Sequence, residues 1–306
     1  MCMIKKNFHR LFYNLISSPK DRNYNLQLLK SNIDHLEFTK NGYVHLKNIL
    51  SQDIINELLK VYEEIRKNSA YEETNYYVNS VSFKSKEIKK ITWEKVKEIT
   101  MPHLSNVLNI DKLRIPISVG YCINPPNSIS GSRLHQDPNL VDEQNAYSIV
   151  LWVSLTDADS SNGCLKVIKG SHLWGNSLRS NFHVRWHFDE FVEDILDKNV
   201  IDIPTKAGDI ICFDPALIHG SGKNKTNKER LAIQISAIPN NETLITVIEE
   251  NRLFSKAKFY QIDENYFTEE SVIQHPSAKY PVVKEQNMNY YYSKESIFKL
   301  LNHTNS

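Results

Sequence analysis

The sequence predicts a mainly β fold with flanking helices (α+β), and three observations carry that reading. Helical periodicity dominates the residues before 113. From there the apolar pattern switches to the two-residue period of strands. Turn signals then recur at short spacing up to residue 239, the organisation of a barrel or sandwich with helices packed around it. The expected division is an N-terminal helical region over residues 1–112, a β core of about 113–239 and an extension 240–306, all in a single domain.

The elements follow in order. The first forty residues mix helical periodicity with polar breaks such as Ser17, Ser18 and Pro19. Residues 38–46, around Gly42, read as a turn and a short strand. Ser51 is a candidate N-cap for a helix to about residue 66, because Ile54, Ile55, Leu58, Leu59, Tyr62 and Ile65 recur at helical spacing. A second helix is expected over 85–100, ended by Pro102, with its Lys and Glu residues on a solvated face. Residues 114–122 read as a strand. Further strands are expected at 147–155, 164–168, 200–203, 209–213 and 230–238, with Asn162-Gly163 as a hairpin turn between the first two of these. Residues 170–199 form a long insertion rich in His, Arg and aromatics, and loops of that length tend to serve function. Beyond Pro239 only shorter mixed segments and a helix at about 294–301 are expected.

Composition excludes several classes. Hydrophobic residues make up 41% of the 306 and charged residues 24%, as in soluble globular proteins. A formal net charge of +1 supplies no case for nucleic acid or a membrane surface. The apolar run at 11–16 is short and broken by Asn14, so it does not read as a signal peptide, and no stretch approaches the roughly 18 apolar residues of a membrane span. Cys2, Cys122, Cys164 and Cys212 are scattered without a CxxC pair. They read as buried free thiols in a reducing cytoplasmic setting.

Two histidine–carboxylate pairs of the form HxD stand out, His135/Asp137 and His187/Asp189. Residues i and i+2 of an extended segment point to one face, so either pair could offer two ligands to a metal. Between Asp137 and a third candidate, His219, lie four strand candidates, which suits ligands on non-adjacent strands. The second pair lies among Trp186, Phe188 and Phe191 with no clear strand before it, and His187 reads as a loop or lid residue. Two His and one carboxylate with open positions opposite is the arrangement of non-haem Fe(II) oxygenases. Arg230 follows eleven residues after His219, on a strand whose Arg230, Ala232, Gln234 and Ser236 share one face. No acidic residue shares that face, so the anion for this guanidinium is either an external carboxylate or an acidic side chain from elsewhere.

Together, His135, Asp137, His219, Ser221 and Arg230 resemble the phytanoyl-CoA dioxygenase family of Fe(II)/2-oxoglutarate oxygenases. The flanks Trp152 to Asp157, Asn162-Gly163, Lys169 to His172, Gly208-Asp209 and Phe38 with Gly42-Tyr43 agree. The resemblance covers about residues 38–238. It implies a double-stranded β-helix (jelly roll, cupin-like) core. It further implies Fe(II) held by His135, Asp137 and His219, 2-oxoglutarate with its remote carboxylate on Arg230, and O2 as the oxidant. Ser221 is either an aid to Arg230 or a turn residue, and Trp152 either a pocket wall or a core residue. Tyr121 and Arg133 are placed at the pocket lining, and His172 is read as fixing its loop. The implied reaction is hydroxylation of an unactivated C–H of a small molecule (a specialised metabolite, an amino-acid derivative or an acyl thioester), neutral or anionic, with release of succinate and CO2. Desaturation and cyclisation remain open on the same iron. Halogenation normally needs the position that Asp137 fills. A non-catalytic jelly-roll module would need neither an open metal face nor Arg230, and a cupin metal site would not explain Arg230. The basic first half of the insertion, with His172, Arg179, His183, Arg185 and His187, reads as a lid that meets an anionic substrate or as a solvated loop.

Overall fold

The computed structural model describes residues 22–174, 178–179, 188–251, 256–272, 274–287 and 292–304. Helix α1 (Asn32–Asn41) starts where the Ser31 hydroxyl accepts from the Asp34 N–H, and it stops at Gly42, whose φ is 81°. A Cβ on Gly42 would lie 2.5 Å from His172 Nδ1 and 2.7 Å from Leu217 Cδ1. Backbone conformation and close approach both demand glycine there. Residues 38–41, expected as a turn, are therefore the last turn of α1, and strand β1 (Tyr43–Leu46) follows.

Helix α2 (Gln52–Arg66) buries Ile55, Leu58, Val61, Tyr62 and Ile65 on one face. Each such side chain contributes about 1.5–3 kcal/mol when fully buried. Helix α3 (Lys86–Leu104) is capped by the Ser85 hydroxyl, which accepts from the Ile88 N–H. It does not end at Pro102 but runs two residues past it. The proline removes one donor in the final turn, while Ser105 still closes onto the Met101 carbonyl at 3.2 Å. The face expected to be solvated has one exception: Lys89 is buried and donates to the Glu270 carbonyl at 2.6 Å.

The remaining strands are β2 (Val78–Asn79), β3 (Leu113–Arg114), β4 (Val119–Asn124), β5 (Ile149–Ser154), β6 (Leu165–Val167), β7 (Ile201–Ile203), β8 (Ile210–Phe213), β9 (His219–Ser221), β10 (Arg230–Pro239), β11 (Ile245–Asn251), β12 (Lys256–Gln261) and β13 (Val282–Asn287). The larger sheet runs β1-β8-β5-β10-β4-β2, with β3 on the far end of β10. The smaller sheet runs β7-β6-β9. Their pairs are antiparallel. Residues 114–122 are thus two strands, split around Pro116, which lacks a ladder donor. Asn162-Gly163 is not a hairpin turn. β5 belongs to the larger sheet and β6 to the smaller, so the turn carries the chain from one sheet to the other.

Strand alternation gives the larger sheet two different faces. Tyr121, Ile123, Leu151, Val153, Leu231 and Ile233 share one cluster with α2 and α3. Cys122, Val150, Trp152, Phe213 and Ala232 face inward and share another with Cys164, Leu165 and Val167 of the smaller sheet side. The three cysteines among the described residues, Cys122, Cys164 and Cys212, are free and buried. Beyond Pro239 the chain is more ordered than its mixed pattern suggests. β11, β12 and β13 form a third antiparallel sheet, and Ile262 and Tyr266, the latter on α4 (Tyr266–Glu269), pack with Leu140, Val141 and Ile238. The described end of the insertion is core, not solvated loop: Phe188, Phe191 and Leu196 pack with Ile297 and Leu301 of α5 (Lys294–Thr304). No described helix is long and apolar enough to cross a membrane.

Replacing Gly42 by Ala should destabilise the protein by more than about 1 kcal/mol, from the positive φ and the His172 contact together. Urea unfolding would show a lower midpoint at unchanged slope. A variant as stable as the parent would contradict this account of the α1–β1 corner.

Candidate metal centre

His135 and His219 face each other across an antiparallel bridge. The His135 N–H donates to the His219 carbonyl at 2.8 Å, and the His219 N–H donates back to the His135 carbonyl at 2.9 Å. β9 already pairs with β6, so the segment around His135 becomes the next rung of the smaller sheet. The Ser221 N–H extends that rung onto the Ser132 carbonyl at 2.9 Å. Two residues after His135, the Asp137 N–H donates to the Pro215 carbonyl at 2.8 Å, and between them the Gln136 amide donates to the Ala216 carbonyl at 2.5 Å.

One ligand atom from each of His135, Asp137 and His219 lies within 4.8 Å of the other two, and no other set of three His, Cys, Asp or Glu does this among the described residues. Asp137 Oδ1 is 3.5 Å from His135 Nε2 and 3.8 Å from His219 Nε2. Both imidazoles present Nε2 because Nδ1 is tied to backbone two residues earlier. His135 Nδ1 bonds the Arg133 carbonyl at 2.7 Å, and His219 Nδ1 bonds the Leu217 carbonyl at 2.8 Å. Such a tie fixes the tautomer and leaves the Nε2 lone pair for an ion. Burial, reinforced by repulsion from His135, brings the His219 pKa down to about 4. It therefore stays neutral at physiological pH, whereas at His135 burial is outweighed by the hydrogen bond and charge of Asp137, which hold the imidazole above its ordinary value. Burial by itself would raise the Asp137 carboxyl, but His219 and His135 outweigh it and hold the group below its ordinary value. Of the rival pair, Asp189 is bound to Arg133 at 3.1 Å, and His187 lies outside the described residues.

Arg230 is fully buried at the start of β10. Its Nη1 donates to the Cys122 carbonyl at 3.3 Å and its Nη2 to Ser221 Oγ at 3.5 Å, while Nε has no partner. The rings of Tyr77 and Trp152 lie 5.6 and 5.4 Å from its Cζ. Among the described residues no carboxylate pairs with it. Burial pulls its pKa below the ordinary value. A buried guanidinium without an anion is several kcal/mol less stable than a paired one, so the arrangement fits an incoming carboxylate. Ser221 and Trp152 both touch this guanidinium. Tyr77, which sequence reasoning did not single out, completes the aromatic pair; nothing in its local pattern distinguishes it.

Residues 38–232 match the family model described as Phytanoyl-CoA dioxygenase (PhyH). The chain belongs to the phytanoyl-CoA dioxygenase family. It is 32% identical over 125 residues to the peroxisomal phytanoyl-CoA dioxygenase of Mus musculus, covering 37% of this chain and 36% of that protein. To the peroxisomal enzyme of Homo sapiens it is 34% identical over 119 residues, covering 36% of this chain and 35% of that one. The chain thus spans little more than a third of the curated relatives it matches. The fold is shared with the crystal structure of EctD from S. alaskensis with 2-oxoglutarate and 5-hydroxyectoine, at TM-score 0.51, 16% identity, and coverage of 78% of this chain and 91% of that one. That likeness shows the jelly-roll fold alone.

Three expectations for this family member change. Tyr121 does not line the pocket. It pairs with Ile233 on the outer face of the larger sheet, and its hydroxyl donates to the Leu58 carbonyl at 2.7 Å. The supposed basic lid loses two of its cations: His172 is buried with Nε2 on the Thr39 carbonyl at 2.9 Å, and Arg179 is buried in an internal charge network. His183, Arg185 and His187 lie outside the described residues. Arg133 is 70% exposed and paired with Asp189, at the rim and not in the interior.

The charge network was not legible in the sequence, because its members come from four distant segments. Arg179 Nε donates to the Asp137 carbonyl at 2.7 Å, and its guanidinium pairs with Glu143. Arg22 joins Glu143 at 2.6 Å to Asp214 at 3.0 Å, and Asp214 also accepts from Tyr24 at 2.8 Å and from the Ala216 N–H at 2.7 Å. Burial would raise Glu143, but Arg179 and Arg22 hold it down to about 2. A carboxyl depressed in the folded state contributes stability above its unfolded value of 4.5, lost as pH falls toward 2. Glu143→Gln should therefore be destabilised by about 3–5 kcal/mol at neutral pH, with two guanidinium groups left short of charge. Its stability should also fall less than the parent's between pH 4.5 and 2. Parallel stability-versus-pH curves for parent and variant would refute this reading of Glu143.

Proposed function

We propose that the chain is an Fe(II)/2-oxoglutarate-dependent dioxygenase that hydroxylates an unactivated C–H of a small-molecule substrate, with release of succinate and CO2. The observation that carries the reading is Arg230, a buried guanidinium with no carboxylate partner among the described residues. It sits beside Ser221, two residues along β9 from His219. The donor set fits the ion: two imidazoles and one carboxylate on one side are a known Fe(II) arrangement. His135, Asp137 and His219 would hold the iron, which with 2-oxoglutarate and O2 supplies the oxidising power for the C–H bond.

The chain's own residues then have separate tasks. Arg230 holds the remote carboxylate of 2-oxoglutarate through its planar donor fork, aided by the Ser221 hydroxyl. Trp152 and Tyr77 flank the guanidinium and keep water from it, which strengthens the charge-assisted bonds. Backbone ties on both Nδ1 atoms keep the imidazoles aimed at the ion. Arg133, exposed two residues before His135 and paired with Asp189, is a cation that an anionic substrate would meet at the rim. The jelly-roll core and the extension after residue 239 act as one unit, a reading supported by the apolar cluster that Ile238 shares with Tyr266. Buried free thiols suit a reducing compartment such as the cytoplasm.

His219→Ala should keep the fold yet lose bound iron and succinate formation together. Arg230→Lys keeps the charge without two parallel hydrogen bonds. Losing one charge-assisted bond is worth roughly 1.5–3 kcal/mol, so the 2-oxoglutarate KM should rise at least about tenfold while iron content persists. An Arg230→Lys enzyme with the parental KM for 2-oxoglutarate would overturn the assignment.

A further inference from the structure

We propose that Gln234 and Asn79 are positioning residues that hold the metal-site carboxylate with one oxygen tied to the protein and the other free for the ion. The proposal rests on the metal-site reading above. Gln234 Nε2 donates to Asp137 Oδ2 at 3.3 Å. The other oxygen, Oδ1, is the one facing both imidazoles, 3.5 Å from His135 Nε2 and 3.8 Å from His219 Nε2. The two oxygens of Asp137 are therefore given different work.

An amide can present either end, so something must orient Gln234. Asn79 does so: its Nδ2 donates to Gln234 Oε1 at 2.7 Å, leaving only the Nε2 end for Asp137. Asn79 is oriented in turn by the Val81 N–H, which donates to Asn79 Oδ1 at 3.1 Å. A backbone N–H cannot reverse its polarity. The direction of the relay, from Val81 through Asn79 and Gln234 to Asp137, is thus set by the main chain.

The sheet makes room for this relay. On β10, Gln234 sits in register between Trp152 of β5 and Gly120 of β4. A Cβ at position 120 would lie 2.0 Å from Asn79 Oδ1, so the Asn79 side chain fills the space that any other residue there would occupy. Capping the short 3-10 helix Ser80–Ser82 explains only the Oδ1 bond of Asn79. The Nδ2 bond to Gln234 has no part in that cap or in the ladder.

The test is calorimetric titration of Mn(II) into the metal-free full chain. The variants are Gln234→Leu, Asn79→Ser, the double variant and His219→Ala, with metal-free unfolding midpoints as control. Serine keeps a capping oxygen at position 79 but loses the amide donor. Gln234→Leu should weaken Mn(II) binding about tenfold or more, the range for partners that orient metal ligands. Asn79→Ser should weaken it about threefold at an unchanged unfolding midpoint. The double variant should bind no more weakly than Gln234→Leu alone, because the second link acts only through the first. A Gln234→Leu Kd within twofold of the parent, or an Asn79→Ser loss that adds in full to it, overturns the relay. If Gln234→Leu does not fold, parental affinity in Asn79→Ser is by itself sufficient to overturn it. His219→Ala separates the two levels. Binding abolished there but unchanged in the relay variants rejects the relay and leaves the metal site standing. Parental binding in His219→Ala rejects the metal site and the relay with it.

Discussion

The reciprocal backbone hydrogen bonds between His135 and His219 are the contact on which the site depends. They place two imidazoles side by side, ring centroids 4.3 Å apart, and they do so with ladder geometry instead of loop geometry. Everything else at the site refines that placement. The ties on Nδ1 set the tautomers, the Asp137 N–H on Pro215 sets the spacing, and Arg179 holds the Asp137 carbonyl. A rung of sheet is a stiff support, and a site built on sheet elements keeps its geometry better than one built on loops.

The interior handles charge in two ways, and the contrast is informative. Arg22 and Arg179 are matched by Glu143 and Asp214, so a buried group of four charges behind Asp137 is internally balanced. Such a cluster need not add net stability, since desolvation offsets the attraction, but it fixes the geometry of the segments it joins. Arg230 receives no such match. Its contacts are a carbonyl, a hydroxyl and two aromatic rings, which orient a guanidinium without neutralising it. Among the described residues the fold thus neutralises two buried arginines and leaves a third without a carboxylate partner.

Legibility in the sequence followed the range of the interactions. His135 and Asp137 were readable because alternation over three residues is local, and Arg230 because its own strand shows one polar and one apolar face. Tyr121 was misplaced because its face depends on the pairing register of β4 with β10, which neither strand reveals alone. The Asn162-Gly163 turn was recognised as a turn, but turn chemistry does not say whether the flanking strands pair or diverge to different sheets. The third sheet was missed because Glu249 follows only four buried residues of β11, and the alternation of Lys256, Ala257, Lys258 and Phe259 in β12 lasts only two periods. Arg22, Glu143, Arg179 and Asp214 carried no local signal, and Gln234 was visible only as one polar residue on the Arg230 face.

Arg230, without a carboxylate partner among the described residues, is proposed to read the far carboxylate of a dicarboxylic oxo acid. The most direct measurement is the affinity of the Mn(II)-loaded protein for 2-oxoglutarate against 2-oxobutanoate, which offers the same metal-binding end and no remote carboxylate. The parent should favour 2-oxoglutarate by at least about tenfold, and Arg230→Ala should erase the preference without losing the metal. Equal affinity for the two acids in the parent, or a preference that survives in Arg230→Ala, would contradict it.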